Sequence, residues 1–162
     1  MKQNESGASA SDKSSSIAAS SKRPYLAIII VTAWAIFQIP RLMAISLIQS
    51  ILAGNDSAIW LFPAIGDIVI GTTAPFIAFV VWRKTGLWAW VASLIWLSIS
   101  IFDHTSTTTA FLTSTPPQIF KEFGDSGVFV PLGQAVIDAS LFVLMAGKRM
   151  SAYFLGDVLK NR

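Results

Sequence analysis

The sequence predicts an all-α integral membrane protein, with four transmembrane helices in an up-down-up-down bundle behind a disordered N-terminal tail. Three observations carry this reading. Of 162 residues, 53% are hydrophobic and only 13% charged, about half the ~25% charged of a soluble domain. The charges gather between apolar runs long enough for the roughly 20 residues that a spanning helix needs. The basic residues also fall on one side of the membrane once four spans are drawn. After the polar tail there is room for four spans and little else, so a separate soluble domain does not fit.

Residues 1–23 are rich in Ser and Ala with scattered charge of both signs. Such a segment cannot bury enough apolar surface to order itself, so a disordered cytoplasmic tail is expected. Glu5 and Asp12 argue against a transit peptide, which is poor in acids. The apolar run continues well past the small residues around Ala33 and Ala35, which favours an uncleaved first span. That span is placed at about 25–52. Gln38, Pro40 and Arg41 interrupt it, and the proline predicts a kink near Phe37–Pro40. Gly54-Asn55-Asp56-Ser57 forms the turn to the second span.

The second span, about 58–82, is closed by Arg83 and Lys84. Asp67, Gly71, Ala74 and Ala78 recur on one helical face, a stripe of small residues that lets another helix approach closely. Pro75 predicts a bend. The third span, about 87–104, carries Ala89, Ser93, Trp96, Ser100 and Asp103 on one face with His104 beside it. A long outer loop, Thr105–Val130, follows, with a short interfacial helix expected near Gln118–Phe123. The fourth span, about 128–147, has Pro131 in its first turn, where proline is tolerated. Gln134 and Asp138 share a face, and Lys148 and Arg149 close the span. Together the four spans make a bundle over 24–149. The cytoplasmic tail 150–162 is expected as a short helix lying on the membrane.

Ten basic residues, from Lys2 and Lys13 through Arg83 and Arg149 to Arg162, lie on one side of this arrangement. Only Lys121 lies on the other, and Arg41 is internal. The positive-inside rule then puts both termini in the cytoplasm. Counting ~1.5 Å per residue from the basic ends places Arg41 and Asp67 about 22–27 Å deep. Asp103 and His104 fall at about 25–27 Å, Gln134 at about 20 Å and Asp138 at about 14 Å. Every internal ionisable group therefore sits in the middle or outer half of the membrane.

The buried ionic cluster predicted from these depths comprises Arg41, Asp67, Asp103, His104, Gln134 and Asp138. Arg41 and Asp67 are the natural pair, since a guanidinium satisfies a carboxylate with two hydrogen bonds. Asp103 and His104 read as the wet end of the third span. Asp138 has no cation at its estimated depth, so it is expected to be protonated, hydrated, hydrogen-bonded to Gln134, Ser100 or a threonine of the second span, or paired in another subunit. On that reading Asp138→Asn folds normally.

The net charge of +3 is explained by topology and points to no nucleic acid. The absence of cysteine excludes disulfides, thiolate metal sites and a catalytic cysteine. One histidine excludes a bis-His haem, and the Asp and His spacing carries no metal signature, so no metal and no cofactor is expected. Three function classes stand. The leading one is an accessory or assembly subunit of a membrane complex, held by an Arg/Asp clasp. The alternative is an oligomeric proton or small-solute carrier using Asp138 and Asp67. The third is a membrane enzyme with an outer-leaflet Asp/His site, for which no catalytic residue is assigned. Expected partners are the lipid bilayer and either other protein chains or copies of this one.

Overall fold

A computed structural model describes residues 23–83 and 86–160. All but Arg23 of the predicted disordered tail lies outside the described residues. The described chain is helical, with no strand. Helix α1 (Tyr25–Phe37) passes through a 3-10 turn (Ile39–Met43) into α2 (Ala44–Leu52). After a second 3-10 turn (Ala58–Trp60) come α3 (Leu61–Arg83) and α4 (Leu87–Thr113). A longer 3-10 segment (Gln118–Val128) leads into α5 (Phe129–Ala146), and α6 (Lys148–Lys160) follows. Four helical stretches are long and apolar enough to cross a membrane: Tyr25–Leu52, Ala58–Arg83, Leu87–Thr113 and Ser126–Ala146.

The interruption of the first stretch has a local cause. Pro40 lacks an amide donor, and the chain tightens to i,i+3 bonds on either side of it: Gln38 N–H donates to Ala35 O, and Arg41 N–H to Gln38 O. In α3, Pro75 is accommodated within one helix, and the Thr73 hydroxyl donates to Val69 O at 2.6 Å.

Helix α4 runs past His104, where the sequence reading ended the third span, to Thr113. The run Thr105–Thr109 looks like loop chemistry, but its hydroxyls bond back into the helix. Thr105 donates to Ile101 O, Thr108 to His104 O and Thr109 to Thr105 O, at 2.8–2.9 Å. Back-bonding of this kind satisfies a hydroxyl without water or a loop. The helix stops just before Pro116-Pro117, as residues preceding proline disfavour the helical region. The tail helix α6 does not lie apart from the bundle. Met150 and Phe154 are buried in the main core, and Gly86 N–H donates to Phe154 O at 2.8 Å. Gly86 itself has φ +105, a conformation that glycine adopts without strain.

Two apolar clusters stabilise the bundle. The larger joins Ile28, Ile70, Leu97, Leu141 and Met145 with Phe154. The smaller joins Ala44, Leu47, Trp60, Ala64 and Ala110. Arg41, Asp67 and His104 each fall, along their own helical stretch, between residues of the two clusters. Apolar packing thus lies above and below the polar layer.

Candidate functional site

Two glycines open the space in which the ionic layer is built. A Cβ on Gly71 would stand 3.2 Å from the Leu42 side chain and from its amide nitrogen. Glycine there lets the 3-10 turn carrying Arg41 approach α3. A Cβ on Gly66 would run into the Asp103 carboxylate, so glycine there lets α4 seat that carboxylate against the backbone of α3. Arg41 consequently reaches two acids. Its Nε donates to Asp67 Oδ1 at 2.5 Å, and its Nη2 donates to Asp103 Oδ2. One guanidinium ties the α1–α2 turn to both α3 and α4.

From the sequence, Asp67 is the natural partner of Arg41, and Asp103 and His104 are expected at a wet helix end. That placement is corrected: Asp103 is 2% and His104 1% exposed. Helix α4 continues about two and a half turns beyond them, so they do not stand at a helix end.

A second constellation lies beside the first. Asp138 is fully buried and is met by donors from two other helices. Trp34 Nε1 donates to Oδ1 at 2.6 Å. Ser100 Oγ donates to Oδ2 at 2.7 Å, and His104 Nδ1 lies 2.8 Å from the same oxygen. The expectation that no basic side chain reaches Asp138 is therefore corrected. It failed because the depth count placed His104 near the outer boundary, whereas a side chain that bends back toward its own N-terminus reaches deeper than its Cα. Trp34 was missed altogether. Its indole N–H is a donor only, and a tryptophan in the middle of an apolar span, away from both interfaces, was the available signal. Ser100 was among the partners considered. Gln134 does not bond Asp138 but lines the space next to it.

That space is a cavity of about 140 Å³ bordered by Arg41, Asp67, His104, Thr107 and Gln134. At ~30 Å³ per water it has room for four or five water molecules. Its roof is aromatic. Phe111, Phe120 and Phe123 line it, and Phe111 and Phe120 pack on Trp60 with centroids 4.9 and 6.0 Å away. Trp60 in turn donates to Thr115 O at 3.0 Å. The 3-10 segment Gln118–Val128 is thereby laid over the cavity.

Three buried polar atoms on residues bordering this chamber have no protein partner: Arg41 Nη1, His104 Nε2 and Thr107 Oγ1. Buried polar groups are normally satisfied, so unpartnered atoms on three of the lining residues mark an unusual stretch of the chamber's wall. His104 has one ring nitrogen on Asp138 and the other without a protein partner, on a residue lining the chamber. An imidazole so placed can take a proton on one nitrogen and release one from the other. Ser100 donates to Asp138 and is not poised against His104 as a nucleophile against its base. Among the described residues, no three acidic or histidine side chains gather as ligands for one metal ion.

Fold and site together define an all-helical bundle with four helical stretches of membrane-crossing length and composition, wrapped round a buried ionic layer and a small chamber lined by both polar and aromatic side chains. In comparisons with known proteins, the chain matches no protein-family model, no curated protein and no solved structure.

Proposed function

We propose that this chain is an integral membrane protein of four spans running up-down-up-down, with both termini cytoplasmic, and that it is a small carrier that moves protons by way of the chamber and the His104–Asp138 pair. The membrane reading is supported by an inverted distribution of side chains. Leu26, Phe62, Phe76, Phe102 and Val143 are more than half exposed, while Asp138, Ser100 and His104 are buried. A water-soluble monomer rarely presents so much apolar surface. The up-down course is supported by contacts at the two ends. Arg23 donates to Trp82 O and Trp90 Nε1 to Met145 O at one end. Trp60 bonds Thr115 and Gln118 N–H bonds Asp56 at the other. The Lys and Arg distribution supports cytoplasmic termini.

The observation that carries the carrier reading is the geometry of His104: one nitrogen on a buried carboxylate, the other unpartnered beside a chamber with room for water. An ionisable pair held this deep is costly in a membrane unless it serves a pathway or a partner. An accessory subunit needs the clasp but not the chamber.

Proteoliposomes loaded with a pH-sensitive dye test the proposal. A potassium diffusion potential should drive protein-dependent internal acidification, and His104→Gln should reduce it to the level of protein-free liposomes. If the wild type gives no flux above protein-free liposomes and purifies with a stoichiometric second chain, the carrier reading fails and the accessory-subunit reading takes its place.

A further inference from the structure

The bundle is not closed on all sides. α1 packs on α3, α3 on α4 and α4 on α5, but α1 and α5 barely touch. Across that seam the 2.6 Å bond from Trp34 to Asp138 is the one side-chain hydrogen bond among the described residues. Two cavities run along the seam. One, of about 490 Å³, is bordered by Tyr25, Ala27 and Ile30 of α1 and by Val143, Lys148 and Arg149 on the other side. The second, of about 440 Å³, continues from Ile30 to Trp34 and Phe37 against Ile137 and Leu141. From Tyr25 to Phe37 the groove follows α1 for about 18 Å by helix rise. One leaflet of a bilayer offers about 15 Å of hydrocarbon.

The groove is apolar along its length and basic at one end. No carboxylate borders either cavity, whereas Lys148 and Arg149 border the first and are exposed. Arg23, at the same end, is committed elsewhere: it donates to Trp82 O, and its guanidinium stands over the Tyr25 and Trp82 rings at 5.1 and 5.4 Å. We infer that the α1–α5 seam is a binding site for an anionic phospholipid, with one acyl chain in the groove and the phosphate on Lys148 and Arg149. A zwitterionic lipid fits the apolar walls equally well but brings its own cation to the two basic side chains. Basic pockets between spanning helices select acidic headgroups for this reason. The inference rests on the membrane-spanning reading and not on proton carriage.

Native mass spectrometry of the detergent-solubilised protein tests it, with phosphatidylglycerol and phosphatidylcholine of matched chains as probes. The wild type should retain one phosphatidylglycerol per chain, in preference to phosphatidylcholine by about thirtyfold, the factor that two basic side chains supply at an anionic surface. Lys148→Gln with Arg149→Gln should remove that preference, and both positions are exposed, so the fold is undisturbed. Ala33→Phe, which fills the upper groove and leaves the charges in place, should lower retention of both lipids. Wild-type retention without preference leaves annular lipid only and overturns the site. So does a dimer or a second chain cross-linked through Ala33→Cys. Release of the chain from membranes by alkaline carbonate would instead overturn the membrane reading beneath it. The Lys148/Arg149 variant should keep wild-type proton flux, which separates this proposal from the carrier.

Discussion

Removing the Arg41 guanidinium should damage the protein far more than removing the whole ionic group. Arg41 is bonded to Asp67 and Asp103, and the three side chains are 11%, 22% and 3% exposed. Arg41→Met strands two acids in an apolar bundle, and breaking a buried ion pair in this way costs about 3–5 kcal/mol. Asp67→Leu leaves Arg41 on Asp103, so it should lose only the ~1.5–3 kcal/mol of one charge-assisted bond. Arg41→Met with Asp67→Leu still strands Asp103, the more buried acid, and should keep most of the Arg41→Met loss. Adding Asp103→Leu removes the last unpaired charge, and stability should return nearly to that of the wild type, since apolar replacement of a whole buried ionic group is often neutral or better. Equilibrium unfolding in mixed micelles, followed by tryptophan fluorescence, gives these four values and that of Asp103→Leu alone. A triple variant that loses the sum of the single losses would show three independent side chains and refute the clasp.

Further expectations concern neighbouring residues. Gly66→Val should cost about 1–3 kcal/mol by overpacking against the Asp103 carboxylate, a loss that unfolding of the variant measures and that Asp103→Ala should relieve. Asp138→Asn, harmless were Asp138 a lone neutral acid, replaces one oxygen with a donor where Trp34, Ser100 and His104 converge. It should lose about 1–3 kcal/mol, and unfolding identical to wild type would contradict that geometry. In this cysteine-free chain, cysteines at Ser14 and Ser151 should resist a membrane-impermeant thiol reagent in intact cells, while one at Glu122 should react. Labelling at Ser14 or Ser151 would reverse the proposed topology.

The architecture was legible because it depends on quantities a sequence carries openly, namely apolar length and the placement of charge. Each predicted span overlaps a helical stretch long and apolar enough to cross a membrane, and Gly71, Ala74 and Ala78 are all buried. What could not be read was the reach of side chains. Depth by helix rise is a property of Cα atoms, and it separated His104 from Asp138 by most of a leaflet, although His104 Nδ1 and Asp138 Oδ2 lie 2.8 Å apart. The same count set Asp103 at the depth of Arg41 but could not say that the two would bond, because Asp103 approaches over Gly66, a close passage that depends on how two helices pack. Thr105–Thr109 misled for a chemical reason. Hydroxyls that favour turns in water bond to the preceding helical turn once water is scarce. Trp34 could not be placed in the site because residue type alone does not say what an indole N–H faces.

His104 is the single histidine in the chain, so nitrogen-15 labelling of histidine gives a spectrum of one residue at the centre of the proposed pathway. In lipid nanodiscs, cross-peaks between the ring nitrogens and water protons would be followed. The account predicts a water cross-peak at Nε2, because His104 lines a chamber with room for water. It also predicts that Asp138→Asn alters the Nδ1 signal, because Nδ1 is held on that carboxylate. No water cross-peak at Nε2, or an Nδ1 signal indifferent to Asp138→Asn, would contradict it.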